Sequence, residues 1–109
     1  MKLTVTGKNI EITDAIKHHV DSKINKTFHA MDKNTDIHVS LHVEKHRHMA
    51  EVTVKTKEFT AHANEETDDL YITMDSVLEK IEKQLKKHKA RSQNLRKKLT
   101  LLLNNKIEN

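Results

Sequence analysis

Between residues 37 and 55 the chain alternates with a period of two. Ile37, Val39, Leu41 and Val43 interleave with His38, Ser40, His42 and Glu44; beyond a polar break, Ala50, Val52 and Val54 interleave with Met49, Glu51, Thr53 and Lys55. Successive side chains of a strand point to opposite faces, so both segments read as strands of a sheet with one apolar and one polar side. Such a sheet needs cover on one face only and leaves the other to solvent.

The flanking sequence supplies that cover. Lys2 to Gly7 alternates, with Leu3 and Val5 on one face, and predicts a first strand. Thr13 suits a helix N-cap and Asp14 the first turn, where the dipole favours an anion. Ile16, Val20, Ile24 and Phe28 recur at every fourth position, which predicts a helix over about Asp14 to Phe28. A polar loop, Met31 to Asp36, follows. A tight turn near Lys57 and Glu58 leads to a fourth strand with Phe59, Ala61 and Ala63 inward. An acidic run (Glu65, Glu66, Asp68, Asp69) with Thr67 as cap then opens a second helix, Asp68 to Arg91, whose apolar stripe is Leu70, Met74, Leu78, Ile81 and Leu85.

The order β-α-β-β-β-α predicts an α+β two-layer sandwich. Its four-stranded mixed sheet carries both helices on one face, as in double-stranded-RNA-binding domains. The first two strands are parallel through a right-handed crossover, and the later strands form a meander. Residues 1–91 form one domain. Residues 92–109 are a basic, Leu-rich tail, with Leu95, Leu99, Leu102 and Leu103 at helical spacing, and are expected to be disordered until bound.

Charge is concentrated. From Lys80 to Lys98 nine basic residues face a single acid, Glu82, a local +8 in a chain of net +4, so the remainder carries −4. At ~100° per residue, Lys80, Lys83, Lys87 and Arg91 share a helix face about 120° from the apolar stripe. A helix running to Arg91 would overhang the sheet with its basic end. Like charges so close cost folding energy, so a one-signed face points to a polyanion. Lys23 and Lys26 at the end of the first helix extend the patch. The basic face up to Lys89 has no large apolar residues, as a membrane-surface helix would need, which favours structured RNA.

Scarcity excludes other chemistries. One Gly rules out a Gly-rich phosphate loop, and two Phe with one Tyr are too few to stack single-stranded bases. Zero Cys removes disulfides and thiolates, in keeping with a cytoplasmic protein. No apolar run has the length of a signal peptide or a membrane span, which reads as soluble and unexported. His42, Glu44, His46 and His48 alternate on one side of the second strand and its turn, but as a loose cage without a recognised metal spacing. His88, inside the basic run, could gain charge near phosphate. No nucleophile–base spacing suggests an enzyme, and no cofactor is implied.

Three stretches, LTVTGKNIEITDAIKHHVDSKINK, VSLHVEKHRHMAEVTV and TAHA followed by DDLYITMDSVLEKIEKQLKKHK, resemble in order the ribosome hibernation-promoting factors, also called ribosome-associated inhibitors or sigma-54 modulation proteins. The resemblance runs from Met1 to about Lys89. It implies a stress or stationary-phase factor, monomeric when free, that binds 16S rRNA of the small (30S) ribosomal subunit in the mRNA and tRNA channel and blocks initiation. The family's rRNA-contacting positions fall here on Lys23, Lys26, Lys80, Lys83, Gln84, Lys87 and Lys89. Lacking the long form's second domain, the chain is similar to short forms, which promote ribosome dimers only with a separate modulation factor. A dimer-blocking paralogue has an acidic tail, whereas this tail is basic. A general structured-RNA binder, or a protein-interaction module using the sheet face or the tail, are the rival readings.

Overall fold

The computed structural model describes residues 2–28 and 34–88. The tail, and with it the expected contacts at Lys89 and Arg91, lies outside the described residues. The elements are β1 (Lys2–Lys8), α1 (Asp14–Phe28), β2 (Asp36–Glu44), β3 (Arg47–Lys55) and β4 (Thr60–Thr67), followed by α2, helical from residue 70 to residue 88. The sheet order is β1-β2-β3-β4. β1 pairs parallel with β2, and the other two pairings are antiparallel. The expected α+β sandwich is the observed one.

The alternation places the core. Ile37, Val39 and Leu41 of β2, Ala50, Val52 and Val54 of β3, and Ala61 and Ala63 of β4 are buried against Ile16, Val20 and Ile24 of α1 and Met74, Val77, Leu78 and Ile81 of α2. Each fully buried Ile, Leu or Val contributes roughly 1.5–3 kcal/mol of transfer free energy, so this single layer drives folding. Val77, fully buried, belongs to the stripe although the fourfold reading passed over it. Thr13 caps α1 as expected, its Oγ1 accepting from the Ile16 N–H at 3.2 Å.

Four local expectations need correction. β4 runs on to Thr67, so Glu65 and Glu66 are strand residues and not part of a helix-opening loop. The cap of α2 is Asp69, whose Oδ1 accepts from the Ile72 N–H at 3.1 Å; Thr67 instead braces the turn, its Oγ1 donating to the Asp69 carbonyl at 2.7 Å. Phe59 precedes β4, in a four-residue turn where the Thr56 Oγ1 accepts from the backbone N–H groups of Glu58 and Phe59. The hairpin histidines separate: His48 pairs with Val43 in the register, on the helix side of the sheet, whereas His42 faces outward opposite Met49.

The β2–β3 hairpin closes through Lys45 and His46 between the paired Glu44 and Arg47. Lys45 adopts a φ of 56°, a left-handed conformation that costs a residue with a Cβ roughly 1–2 kcal/mol. Lys45→Gly is expected to stabilise the fold by about 0.5–1 kcal/mol after the extra chain entropy of Gly is subtracted. The readout is a higher urea midpoint at unchanged slope.

Candidate nucleic-acid interface

β4 is an edge strand, and α2 runs along it. Four residues of helix rise about 6.0 Å and two residues of strand about 6.7 Å, so every fourth residue of α2 can meet every second residue of β4. Gln84 Nε2 donates to the His62 carbonyl at 2.8 Å, and Lys80 Nζ donates to the Asn64 carbonyl at 3.2 Å. One turn earlier, Ser76 Oγ donates to Glu65 Oε2 at 2.8 Å. One turn later, the His88 ring stacks on Phe59 with centroids 4.2 Å apart and planes 9° from parallel. These contacts seal an edge that would otherwise offer free backbone groups. His88 is thus a packing residue at the end of the described helix, and the expected overhang would begin beyond it.

Two expected RNA contacts, Lys80 and Gln84, therefore also hold the helix on the sheet. Lys80 Nζ lies 3.0 Å from Glu65 Oε2 while its side chain stays half exposed. Hydrogen bonds from Lys80 and Ser76, with a further one from the Glu66 N–H, hold the Glu65 carboxyl at about 2, well below the usual carboxylate range. A carboxyl lowered by folding adds stability above its unfolded value near 4.5 and loses that contribution as the pH falls toward about 2. In Lys80→Met the Glu65 carboxyl, followed by NMR, is expected to titrate at higher pH than in the parent protein, with a correspondingly earlier acid transition.

Lys83 and Lys87 are exposed on the same flank of α2 and make no ion pair or hydrogen bond among the described residues. Lys86 sits toward the other flank, 3.2 Å from Glu82. Lys23 belongs to a different group. Its Nζ is 3.8 Å from Asp75 Oδ1, the same oxygen that His19 Nε2 meets at 2.8 Å, and the Tyr71 ring stands edge-on to His19 at 4.9 Å. Lys23 therefore faces the groove between the helices, across α2 from Lys80 and Gln84, and Lys26 is an exposed base in the last turn of α1. The single patch expected from sequence is two sets of bases on opposite flanks of α2.

The residues that organise these sets, Glu65, Ser76, Asp75 and His19, carried no signal of their own in the sequence. Only the 76–80–84 spacing, laid against alternate residues of β4, could have revealed the first pair. Among the described residues no three His, Asp or Glu side chains are arranged to hold a metal ion, and no helix is long and apolar enough to cross a membrane.

Sheet order, helix placement and the basic flank define the class, an α+β two-layer protein with a mixed four-stranded sheet covered on one side. Residues 3–93 match the family described as Sigma 54 modulation protein / S30EA ribosomal protein, and the chain belongs to that family. It is 36% identical over 89 residues to the ribosome hibernation promoting factor of Escherichia coli (strain K12), covering 82% of this chain and 94% of that protein. The factor of the same name from Pseudomonas putida (strain KT2440) is 32% identical over 95 residues, covering 87% of this chain and 93% of that protein. Among solved structures, a ribosomal subunit interface protein from Coxiella burnetii superposes with a TM-score of 0.76 at 31% identity, covering 83% of this chain and 99% of that one. The N-terminal domain of Thermus thermophilus Protein Y gives 0.74 at 29% identity, covering 81% of this chain and 99% of that one.

Proposed function

We propose that this protein is a non-catalytic ribosome hibernation factor of the cytoplasm. Residues 1–91 bind 16S rRNA of the small (30S) subunit in the mRNA and tRNA channel, and steric overlap inhibits translation and preserves idle ribosomes. The observation that carries this reading is the exposed row of Lys83 and Lys87, with Lys80 beside it, on a helix fixed to a rigid sheet. Ammonium groups held at a set spacing bind phosphates without reading bases, which suits a folded RNA groove. Lys23 and Lys26 on the other flank of α2 would meet a second stretch of backbone, and Lys89 and Arg91 would prolong the first. Ribosome dimers are promoted together with a separate modulation factor.

Competition tests the proposal. Binding to vacant small subunits should exceed binding to duplex RNA of equal charge by at least about 100-fold at equal salt. Sucrose gradients of stationary cells should show this protein in the ribosomal fractions that contain the small subunit, dimers included. Equal affinity for duplex RNA would instead make it a general structured-RNA binder.

A further inference from the structure

The two edges of the sheet are finished differently. At β4 the outward carbonyls of His62 and Asn64 accept from Gln84 and Lys80. β1, the opposite edge, has no such cover among the described residues. The Lys2 N–H donates to the Thr35 carbonyl at 2.8 Å. Because backbone direction alternates along a strand, Lys2, Thr4, Thr6 and Lys8 turn their backbone groups to β2, and Leu3, Val5 and Gly7 turn theirs to the free edge. On the helix side of that edge, half-buried Leu3 and Val5, with Lys17, His18 and Asp21 of α1, border a groove of about 590 Å³. The loop after β1 packs against Gly7, with the Ile10 carbonyl and Ile12 Cδ1 at 2.7 and 2.8 Å from where a Cβ on Gly7 would stand. A row of free N–H and C=O groups beside a groove in which Leu3 and Val5 meet polar side chains of α1 is a template for one more strand.

The register states which strand fits. In an added antiparallel strand, each residue lies on the same sheet face as the residue it opposes. Opposite Leu3 and Val5 the groove takes apolar side chains, opposite Thr4 and Thr6 the open face takes small β-branched polar ones, and opposite Lys2 and Lys8 it takes carboxylates. A second copy of β1, centred on Val5, would set Lys2 against Lys8 at both ends, and like charges directly opposed disfavour pairing. The charges at the two ends of β1 thus oppose self-pairing in that full-length register and favour an acid-flanked partner.

We propose that the β1 edge accepts, as a fifth strand, an extended segment of a partner protein with alternating apolar and β-branched residues between two acidic ends. The probe is the capped heptapeptide Asp-Ala-Thr-Val-Thr-Val-Asp, titrated into the isotope-labelled full chain and followed by amide NMR. Expected are saturable shifts along residues 3–7, slowed hydrogen exchange at the Leu3 and Val5 amides, and roughly tenfold weaker binding of the same peptide with lysines at its ends. Lys2→Glu combined with Lys8→Glu should reverse that preference without touching the core. Val5→Pro removes an edge N–H that β2 does not use, a position where a strand accepts proline, and should abolish binding while the β3 and β4 amides keep the shift dispersion of the folded sheet. Equal affinity for the two peptides, shifts confined to the helices, or concentration-dependent broadening of β1 amides without peptide would overturn the proposal, the last by making a second copy the occupant.

Discussion

Reversing the charge at Lys83 and Lys87 together is expected to weaken binding to vacant small subunits by about 100-fold near 0.1 M salt and to flatten the log–log salt slope by about 2. Both ammonium groups are exposed and unpaired among the described residues, so Lys83→Glu/Lys87→Glu should keep the parent circular dichroism spectrum and melting temperature. Lys80 is a poorer target for that test. Its ammonium bonds the Asn64 carbonyl and the Glu65 carboxylate, and a glutamate there would oppose two carboxylates across the seam between α2 and β4. Lost binding at Lys80 would then mix with lost packing. If about six lysines meet phosphates in the intact protein, the parent slope should be near −5, at roughly 0.7–0.9 per contact. A slope near zero, or a double variant that binds like the parent, would remove phosphate attraction as the mechanism.

Gly7→Ala is expected to cost the fold roughly 1–3 kcal/mol, a fall in melting temperature of about 4–8 °C for each kcal/mol. Gly7 is the chain's single glycine, and its φ is not positive, so the requirement is space and not backbone conformation. A Cβ there would lie 2.7 Å from the Ile10 carbonyl oxygen and 2.8 Å from Ile12 Cδ1. The first of these is backbone and cannot rotate away, so the loop between β1 and α1 would have to move, and with it Ile10 and Ile12, which pack on the core. An unchanged thermal transition in Gly7→Ala would show that this loop yields without cost.

These two predictions differ in how much of their basis was visible in the chain itself. The alternation over residues 37–55 and the fourfold recurrence of Ile16, Val20 and Ile24 announce β2, β3 and α1, and α1 spans Asp14–Phe28 as the pattern predicts. Both signals are repeats within one element, so short stretches of sequence are enough to carry them. The end of β4 is hidden in the sequence because acids near a helix read as helix-opening charge. Glu65 and Glu66 are accepted in a strand because each finds a cationic partner: Lys80 Nζ at 3.0 Å for the first, and Arg47 Nη2 at 2.7 Å for the second.

The division of labour among the bases belongs to tertiary structure. A helical wheel groups Lys80, Lys83 and Lys87, but cannot state which flank lies against a strand edge. Packing α2 antiparallel to β4 engages Lys80 and Gln84, leaves Lys83 and Lys87 to solvent, and turns Asp75 toward His19 and Lys23 of α1. Periodicity and charge are local properties, readable from neighbours in the chain. Which lysine is bound and which is free depends on meetings such as His19 with Asp75, distant in sequence and joined only when both helices close over the same face of the sheet.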